Sequence, residues 1–264
     1  MKAIVLVGGL GTRLRPLTFA VPKPLLAIGE KPILELLIGH LCRAQVREII
    51  LATGYLSELI ETFCGDGSRF GVEITYVKEP QRLGTAGPLS LLRDRIADDE
   101  FVILLNGDIV TQLDLRDFVA FSRQSDYELT VAYVHHTYQS PFGVLSIENH
   151  QVVGITEKPE VRSCVSSGFY CLKGSALNYI PDGQYFSIPE LIDKMRSCNR
   201  PIGAYPIREF WMSIEHLEDI DTAVRTLNGR PAASSSGSLP GSSAGDVAPG
   251  TAVASRPVRK SRPC

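Results

Sequence analysis

The sequence lacks any long apolar run, and none of its apolar stretches approaches the ~18 residues that a membrane-spanning helix needs. Its first seven residues are too short for the apolar centre of a signal peptide, and they lead directly into glycines. The six cysteines show no metal-ligand or disulfide-framework spacing, and six residues separate the closest pair, Cys164 and Cys171. We therefore expect reduced thiols, no membrane association and a cytoplasmic location.

The chain also lacks an excess of charge of either sign. Its 27 basic and 29 acidic side chains give a formal net charge of −2, whereas proteins that bind nucleic acid or membrane surfaces usually carry a strongly basic field. Residues 230–264 contain five basic residues and one acidic residue, so residues 1–229 carry a net charge of −6. No nucleic-acid partner is expected, and an anionic ligand must bind at a local cluster of basic side chains.

The C-terminal segment differs in composition from the rest of the chain. Residues 230–264 are rich in serine, glycine and proline and contain no aromatic side chain. Such a segment cannot bury enough apolar surface to offset the entropy lost on ordering. The whole chain is 44% hydrophobic, which suffices for a sizeable core. We predict one folded domain over residues 1–229 and a disordered basic tail over residues 230–264.

Short apolar runs alternate with helical patterns in the first half of the chain. The runs 3–7 and 101–105 are apolar throughout, as are strands that are buried on both faces of a parallel sheet. After Asp108 the pattern changes to antiparallel-looking strands. The expected strands are 3–7, 48–53, 72–78, 101–105, 129–134, 143–147, 152–155 and 168–172, and the expected helices are 33–44, 56–64, 87–96 and 188–196. We predict an α/β fold with one continuous, doubly wound, mainly parallel mixed sheet.

The first predicted strand leads into a loop that contains Gly8, Gly9 and Gly11. Glycines at the end of a first strand let backbone N–H groups approach phosphate oxygens closely. The loop is not a P-loop, because the Gly-Lys-Ser/Thr ending is absent. Leu14 and Pro16 also fit a dinucleotide-binding fingerprint poorly. The loop therefore predicts a phosphate site and disfavours a plain dinucleotide-binding module.

Basic residues follow the glycines at positions that suit a phosphate ligand. Arg13 and Arg15 come directly after the loop, and guanidinium groups can contact phosphates in a bidentate manner. Lys23 lies between Pro22 and Pro24, which stiffen the backbone on both sides of the ammonium group. A surface turn could use the same three residues. Their position soon after the glycine loop favours a phosphate-binding lysine.

These motifs resemble those of the sugar-1-phosphate nucleotidylyltransferases. The resemblance rests on Gly-Gly-Leu-Gly-Thr-Arg-Leu-Arg-Pro-Leu-Thr, Pro-Lys-Pro-Leu-Leu and Lys-Pro-Ile-Leu, and it extends over about residues 1–228. It implies a Rossmann-like fold of the glycosyltransferase-A type. It also implies a reaction in which a nucleoside triphosphate and a sugar 1-phosphate give a nucleotide sugar and pyrophosphate. The glycine loop with Thr12 would wrap the triphosphate, Arg13 would steady the leaving pyrophosphate, and Lys23 would contact the α-phosphate.

An aspartate, Asp108, follows a wholly apolar predicted strand, at the sheet edge where open α/β folds bind ligands. Its carboxylate could hold a hard cation such as Mg²⁺ or could simply cap a turn. The resemblance implies the first role, because the family's metal-binding aspartate matches Asp108. A sugar-phosphate dianion can attack the α-phosphorus without a general base, and none of the five histidines is paired with a nucleophile in the sequence pattern.

Sugar-phosphate contacts are expected in the second half of the chain. Glu157 and Lys158 precede a proline, and in the resembled family the lysine contacts the phosphate and the acid contacts sugar hydroxyls. Gly143 matches a glycine beside the sugar. Ser166 stands where the family has the asparagine of Asn-Ala-Gly, and the resemblance implies a shortened contact to a sugar hydroxyl.

One segment near the end of the predicted domain departs from the family pattern. The family usually has Trp-x-Asp-x-Gly, whose aspartate is a second metal ligand, but here Trp211 is followed by Ser213 and Glu215. Either Asp108, phosphates and water hold the cation, with Glu215 taking part, or catalysis is impaired. A non-catalytic relative that binds nucleotide sugar and regulates a true enzyme therefore remains a hypothesis. The complete set of phosphate-handling residues favours an active enzyme.

The segment from Glu79 to Leu89, which includes Gly84 and Thr85, resembles the Glu-Pro-Leu-Gly-Thr-Ala-Gly segment of mannose-1-phosphate and heptose-1-phosphate guanylyltransferases. A glutamate beside the base can accept hydrogen bonds from the guanine N1–H and amino groups. We assign GTP, with dTTP or UTP as alternatives. Mannose, a heptose and a cyclitol phosphate remain open as the acceptor, and so does a homo-oligomer.

Overall fold

The computed structural model describes residues 1–125 and 127–229, and the predicted tail 230–264 lies outside the described residues. The described residues form thirteen strands and five α-helices. The strands are β1 (Lys2–Leu6), β2 (Ala27–Ile28), β3 (Lys31–Pro32), β4 (Glu48–Thr53), β5 (Glu73–Lys78), β6 (Phe101–Asn106), β7 (Ile109–Thr111), β8 (Leu129–Gln139), β9 (Val144–Glu148), β10 (Gln151–Thr156), β11 (Glu160–Lys173), β12 (Gly203–Pro206) and β13 (Trp211–Ser213). The helices are α1 (Ile33–Arg43), α2 (Ser57–Cys64), α3 (Leu115–Gln124), α4 (Ile188–Ser197) and α5 (Leu217–Leu227).

A seven-stranded mixed sheet in the order β12-β8-β11-β6-β1-β4-β5 forms the centre of the molecule. The β6-β1-β4-β5 half is parallel throughout, whereas β11 runs antiparallel to both β6 and β8. The α/β fold and the mainly parallel first half are confirmed. The prediction of one continuous sheet is wrong, because β9 and β10 pair only with each other in a separate ribbon among the described strands. Strand periodicity does not specify which strands will pair.

The position of β1 in the sheet explains why residues 3–7 are apolar throughout. Ala3 and Val5 point into a core with Leu37 of α1, and Ile4 points into a second core with Leu191 of α4. All five side chains are buried. Alternating side chains of a strand face opposite sides of a sheet. A strand that is covered on both faces therefore has no exposed position for a polar side chain. Each buried valine, leucine or isoleucine side chain contributes about 1.5–3 kcal/mol by leaving water.

Two α-helices, α3 and α5, were not predicted from the sequence, and one predicted α-helix is a 3₁₀-helix. Asp114 caps α3 by accepting hydrogen bonds from two backbone N–H groups, and a capping box at His216 begins α5. The segment Gly87–Arg95 is a 3₁₀-helix. Its buried Leu89 and Leu92 are three residues apart, which matches the three residues per turn of that helix.

The chain order of the sheet creates a crevice at its edge. From β1 the chain winds outward through β4 and β5 and then returns to the other side of β1 as β6. In open α/β sheets, ligands bind outside the carboxyl ends of the strands at such a switch point. Residues 135–166 comprise the outer ends of β8 and β11 and the β9-β10 ribbon. They extend beyond the neighbouring strands β6 and β12, and we call them the arm.

Candidate active site

Two adjoining clefts lie at the carboxyl ends of β1 and β6. The first has a volume of about 340 Å³ and the second about 290 Å³, and they share Gly9, Lys23, Arg82 and Asp108. The first is also lined by the predicted residues Gly8, Glu79, Gly84 and Thr85. The second is also lined by the predicted residues Gly11, Thr12 and Arg13. The structure thus brings together the residues that we predicted for the nucleotide and for catalysis, with the exception of Arg15.

The glycine loop approaches its neighbours too closely for side chains. A Cβ at Gly8 would lie 2.8 Å from Oε1 of Glu79, and a Cβ at Gly11 would lie 2.8 Å from Cγ2 of Thr18. Gly11 also has a φ of +59°, which favours glycine. The buried hydroxyl of Thr18 donates a hydrogen bond of 2.8 Å to the Gly11 carbonyl oxygen and fixes the loop. Leu14 is buried in the core, which explains why this position does not carry the small residue of a dinucleotide fingerprint.

Lys23 and Asp108 form an ion pair in the floor that both clefts share. Lys23 begins a short 3₁₀-helix with Pro24, and its side chain is only 10% exposed. Its Nζ donates to Oδ2 of Asp108 over 2.6 Å. The other oxygen of that carboxylate, Oδ1, is buried and has no hydrogen-bond partner among the described residues. A carboxylate that lines a cleft and has one oxygen without a hydrogen-bond partner can bind a further cation.

Glu215 closes the far side of the second cleft. Its Oε2 accepts a hydrogen bond of 2.6 Å from Arg13 and lies 3.4 Å from Nζ of Lys23. Its Oε1 accepts a hydrogen bond of 3.0 Å from Ser213. Burial by itself would raise the pKa of Glu215, but the Arg13 hydrogen bond and the charge of Lys23 outweigh it, so the pKa lies below its usual value. Glu215 is therefore an anion that contacts both basic residues of the predicted phosphate site.

Glu79 comes directly after β5 and lines the first cleft beside Gly8. Its Oε2 accepts a hydrogen bond of 3.0 Å from the backbone N–H of Leu83. Burial raises the pKa of Glu79, and the Leu83 hydrogen bond only partly opposes this effect. The Thr85 hydroxyl accepts a 2.9 Å hydrogen bond from the N–H of Ile188 and so holds the start of α4 against this wall. Gly84 has a φ of +80°, which lets the backbone turn between the two residues.

The predicted sugar-phosphate residues lie on the arm and do not line either cleft. Gly143 precedes β9, and a Cβ there would lie 2.9 Å from Oε2 of Glu157. Lys158 follows β10 and is exposed. The hydroxyl of Ser166 is within 2.9 Å of the Tyr170 hydroxyl. The structure brings Gly143 and Glu157 together, but it does not bring these residues to Lys23 and Asp108.

Arg15 is not part of either cleft, although it adjoins Arg13 in the sequence. Its guanidinium lies over the ring of Phe19, 4.8 Å from the ring centroid. Sequence reasoning missed three residues that line the first cleft, namely Arg82, Asn106 and Tyr185. Arg82 lies within the Glu79 motif and Asn106 lies two residues before Asp108, so both could have been found. No sequence signal marks Tyr185.

A divalent cation would find few protein ligands here. The described residues contain no group of three or more His, Cys, Asp or Glu side chains that could hold a metal. Mg²⁺, however, commonly binds through one or two carboxylates and completes its octahedron with substrate phosphates and water. The free Oδ1 of Asp108 beside a cleft of triphosphate size fits that mode of binding.

The sequence model of the nucleotidyl transferase family matches residues 2–227 of this chain. The chain is 35% identical over 230 residues to the catalytic subunit beta of mannose-1-phosphate guanylyltransferase from Danio rerio, and 33% identical over 224 residues to that of Dictyostelium discoideum. These alignments cover 85% and 83% of this chain, but only 64% and 62% of the two relatives. The chain thus spans less than two thirds of the curated relatives that it matches.

Among solved structures, HddC from Yersinia pseudotuberculosis superimposes with a TM-score of 0.68 at 26% identity, covering 86% of this chain and 99% of that one. A structure of the same protein complexed with GMP-PN gives a TM-score of 0.67 at 25% identity, with the same coverage of each chain. No helix in the described part of the chain has the length and apolarity to cross a membrane. Proteins of this family generally use a divalent metal.

Proposed function

Because the chain belongs to the nucleotidyl transferase family, we propose that it is a sugar-1-phosphate nucleotidylyltransferase that uses GTP. Its domain over residues 1–229 would convert GTP and a sugar 1-phosphate into a GDP-sugar and pyrophosphate. The observation that carries this proposal is the shared floor of the two clefts, where Lys23 and Asp108 pair at 2.6 Å beside the glycine loop. The similarity to mannose-1-phosphate guanylyltransferases supports the class of reaction and the choice of GTP.

The reaction needs charge neutralisation and alignment more than acid–base chemistry. A sugar-phosphate oxygen attacks the α-phosphorus in line, and the bond from that phosphorus to the oxygen bridging to the β-phosphorus breaks. Pyrophosphate leaves with the bridging oxygen. The attacking group is already largely ionised at neutral pH, since the second pKa of a phosphomonoester is about 6. No general base is therefore required.

Lys23 and Arg13 supply the positive charge that this step needs. Lys23 is held nearly buried by its 3₁₀-helix and by Asp108, so its ammonium group is pre-positioned for the α-phosphate. Arg13 lines the second cleft and is suited to the leaving pyrophosphate. Mg²⁺, when bound at Asp108, would neutralise phosphate charge and help to orient the leaving group.

Glu79 is the residue that we assign to the guanine base. Its carboxylate lines the first cleft and can accept hydrogen bonds from N1–H and the amino group of guanine, which no other common base offers as a pair. Gly84 and Thr85 form the adjoining wall. The acceptor is a sugar 1-phosphate that contacts Gly143, Glu157, Lys158 and Ser166 on the arm. Since these residues lie outside the clefts, sugar binding would bring the arm toward the clefts.

The expected cytoplasmic location is supported by the thiols of the protein. All five described cysteines are free. Burial raises the pKa of Cys64 and Cys171 to about 11, so both remain protonated structural thiols. Reduced cysteines are typical of intracellular compartments.

The proposal is tested by measuring pyrophosphate release. The assay would combine GTP, dTTP, UTP, CTP or ATP with mannose, heptose or glucose 1-phosphate in the presence of Mg²⁺. We expect release with GTP and at least one sugar 1-phosphate, and loss of that release in D108A. Folded protein that binds nucleotide but releases no pyrophosphate with any pair would contradict the proposal. That result would favour the non-catalytic regulator that Ser213 suggests.

A further inference from the structure

The short pairing between β7 and β13 places the segment 213–215 beside Asp108. In this antiparallel ladder Ser213 is opposite Ile109, and the N–H of Ile214 donates a 2.9 Å hydrogen bond to the carbonyl oxygen of Asp108. Side chains at the end of β13 therefore lie next to the Asp108 carboxylate. This position depends on backbone pairing and not on the particular side chain at position 213.

The carboxylate of Glu215 reaches back to the side chain of Ser213. The Ser213 hydroxyl donates to Oε1 of Glu215 over 3.0 Å, so the carboxylate lies one hydrogen bond from position 213. The other oxygen of Glu215 lies 3.4 Å from Nζ of Lys23, which also contacts Asp108 at 2.6 Å. The two carboxylates thus already share one cation, although they are more than 100 residues apart in the chain.

The charges of the site leave a deficit once nucleotide binds. Arg13 and Lys23 are neutralised by Asp108 and Glu215, so the four groups carry no net charge. Arg82, which lines both clefts, adds one positive charge, and a triphosphate that enters beside these groups needs more than that. Asp108 retains a buried oxygen without a partner among the described residues, and a serine hydroxyl at position 213 is a poor ligand for a hard dication.

We infer that Glu215 is the second carboxylate ligand of the divalent-cation site, in place of a carboxylate at position 213. This inference rests on the proposed function, since the nucleotide phosphates and water supply the remaining ligands. Asp108 and Glu215 would hold the cation together with the nucleotide phosphates, and Lys23 and Arg13 would then neutralise phosphate oxygens from the positions in which they already lie. This arrangement conserves the local charge balance, because one dication replaces two monovalent side-chain cations as the counter-charge of the carboxylates.

The experiment measures cation binding directly and without turnover. Mn²⁺ is titrated into protein saturated with GTP in the absence of any sugar phosphate, and free Mn²⁺ is followed by electron paramagnetic resonance. The variants are E215Q, which removes the carboxylate, and S213D/E215Q, which returns a carboxylate to position 213. The matched control is E209Q, because Glu209 is an exposed acid on the neighbouring segment whose carboxylate accepts a hydrogen bond from the backbone N–H of Arg208.

We expect E215Q to weaken Mn²⁺ binding by about tenfold or more, since even losing a group that only orients a ligand costs 10–100-fold in affinity. S213D/E215Q should recover most of the loss, and E209Q should match the wild type. Wild-type Mn²⁺ affinity in E215Q would overturn the inference. A loss that S213D/E215Q does not recover would also overturn it, because a ligand carboxylate is replaceable at the adjoining position.

A separate titration of GTP in the presence of Mg²⁺ distinguishes the two levels of the proposal. Wild-type protein that binds GTP, with E215Q unaltered toward Mn²⁺, contradicts only the role of Glu215. Wild-type protein that does not bind GTP contradicts the proposed function, and the inference fails with it.

Discussion

Nζ of Lys23 lies 2.6 Å from Oδ2 of Asp108, although the two residues are 85 positions apart in the chain. The lysine comes from a proline-flanked turn after the glycine loop, and the aspartate comes from the end of β6. Parallel pairing of β1 with β6 aligns the two ends. The sheet therefore positions Lys23 beside Asp108 before any ligand binds.

Replacing Lys23 with alanine should reduce turnover by about 10²–10³-fold, the range seen when one pre-organised hydrogen-bond donor to a transition state is removed. The fold should survive, because the Asp108 side chain is 24% exposed and water can solvate it. The measurement is pyrophosphate release together with thermal unfolding. K31A is the control, since Lys31 is an exposed lysine in a surface ion pair. Near-wild-type turnover in K23A would mean that the site is misplaced.

Arg13 and Arg15 should differ in effect although only one residue separates them. R13A removes the guanidinium that lines the second cleft, and we expect pyrophosphate to bind at least tenfold more weakly. R15A removes only the contact with the Phe19 ring, and phosphate binding should be unchanged. Isothermal titration with pyrophosphate measures both. Equal losses in the two variants would show that general positive charge, and not cleft geometry, binds the phosphates.

Replacing Glu79 with glutamine should weaken discrimination for guanine. Glutamine can still accept the Leu83 N–H hydrogen bond, but its amide group opposes the donor edge of guanine. We expect a loss of about 1–3 kcal/mol in GTP binding, as for other base-edge contacts, with less change for UTP. Competition titrations with both nucleotides provide the ratio. If GTP and UTP weaken equally, Glu79 supports the loop and does not contact the base.

Replacing Lys158 with alanine should separate sugar binding from nucleotide binding. Lys158 lies on the arm and outside both clefts, so GTP affinity should remain at the wild-type value. The KM for the sugar 1-phosphate should rise by tenfold or more, because a charged phosphate contact is lost. Steady-state kinetics at saturating GTP test this, with R162A on the same arm as the control. An unchanged KM would remove Lys158 from the sugar site.

His40 should make stability depend on pH below neutrality. Burial lowers its pKa from 6.5, and the charge of Arg43 lowers it further, while the Leu113 carbonyl and Asp114 act in the opposite direction. Arg116 also lines the cavity beside His40. The unfolded chain therefore binds a proton before the folded chain does, so stability is retained above pH 6.5 and lost as the pH falls below it.

This direction of the pH dependence is tested by urea unfolding of the wild type and of H40Q at pH values of about 7.5, 6.5 and 5.5. Between about pH 6.5 and pH 5.5 the free energy of unfolding should fall more for the wild type than for H40Q. The extra loss is at most about 1.4 kcal/mol for each unit by which the folded pKa of His40 lies below its unfolded pKa. Parallel curves for the two proteins would show that the imidazole remains free to ionise in the folded state.

Local features of the sequence predicted more of this molecule than long-range pairing did. The apolar runs identified β1 and β6 because burial on both faces leaves a simple pattern. The cap at Asp114 is a local signal that could have revealed α3, since two backbone N–H groups bond to its side chain. The separate β9-β10 ribbon was not predictable, because its strands have the same alternation as strands inside a sheet.

The residues of the candidate site likewise differ in how well the local sequence predicts them. Gly8, Lys23 and Asp108 come from motifs in which the chemistry is visible in adjacent residues. The contact of Glu215 with Arg13 depends on the three-residue pairing between β7 and β13. Tyr185 reaches the cleft from the loop before α4 without any motif. Residues that join a site only through tertiary packing leave no mark in the local sequence.

Strand β11 connects the arm to the strand that ends at the first cleft. Its outer end pairs with β8 within the arm, its inner end pairs with β6, and its register with β8 shifts between Ser166 and Tyr170. Gly168 lies at this shift with a φ of +77°, and a Cβ there would lie 2.7 Å from Nδ2 of Asn106. A bend of the arm at Gly168 would therefore press on a residue that lines the cleft. A side chain at Gly168 should therefore disturb Asn106 and the first cleft as well as the path of β11.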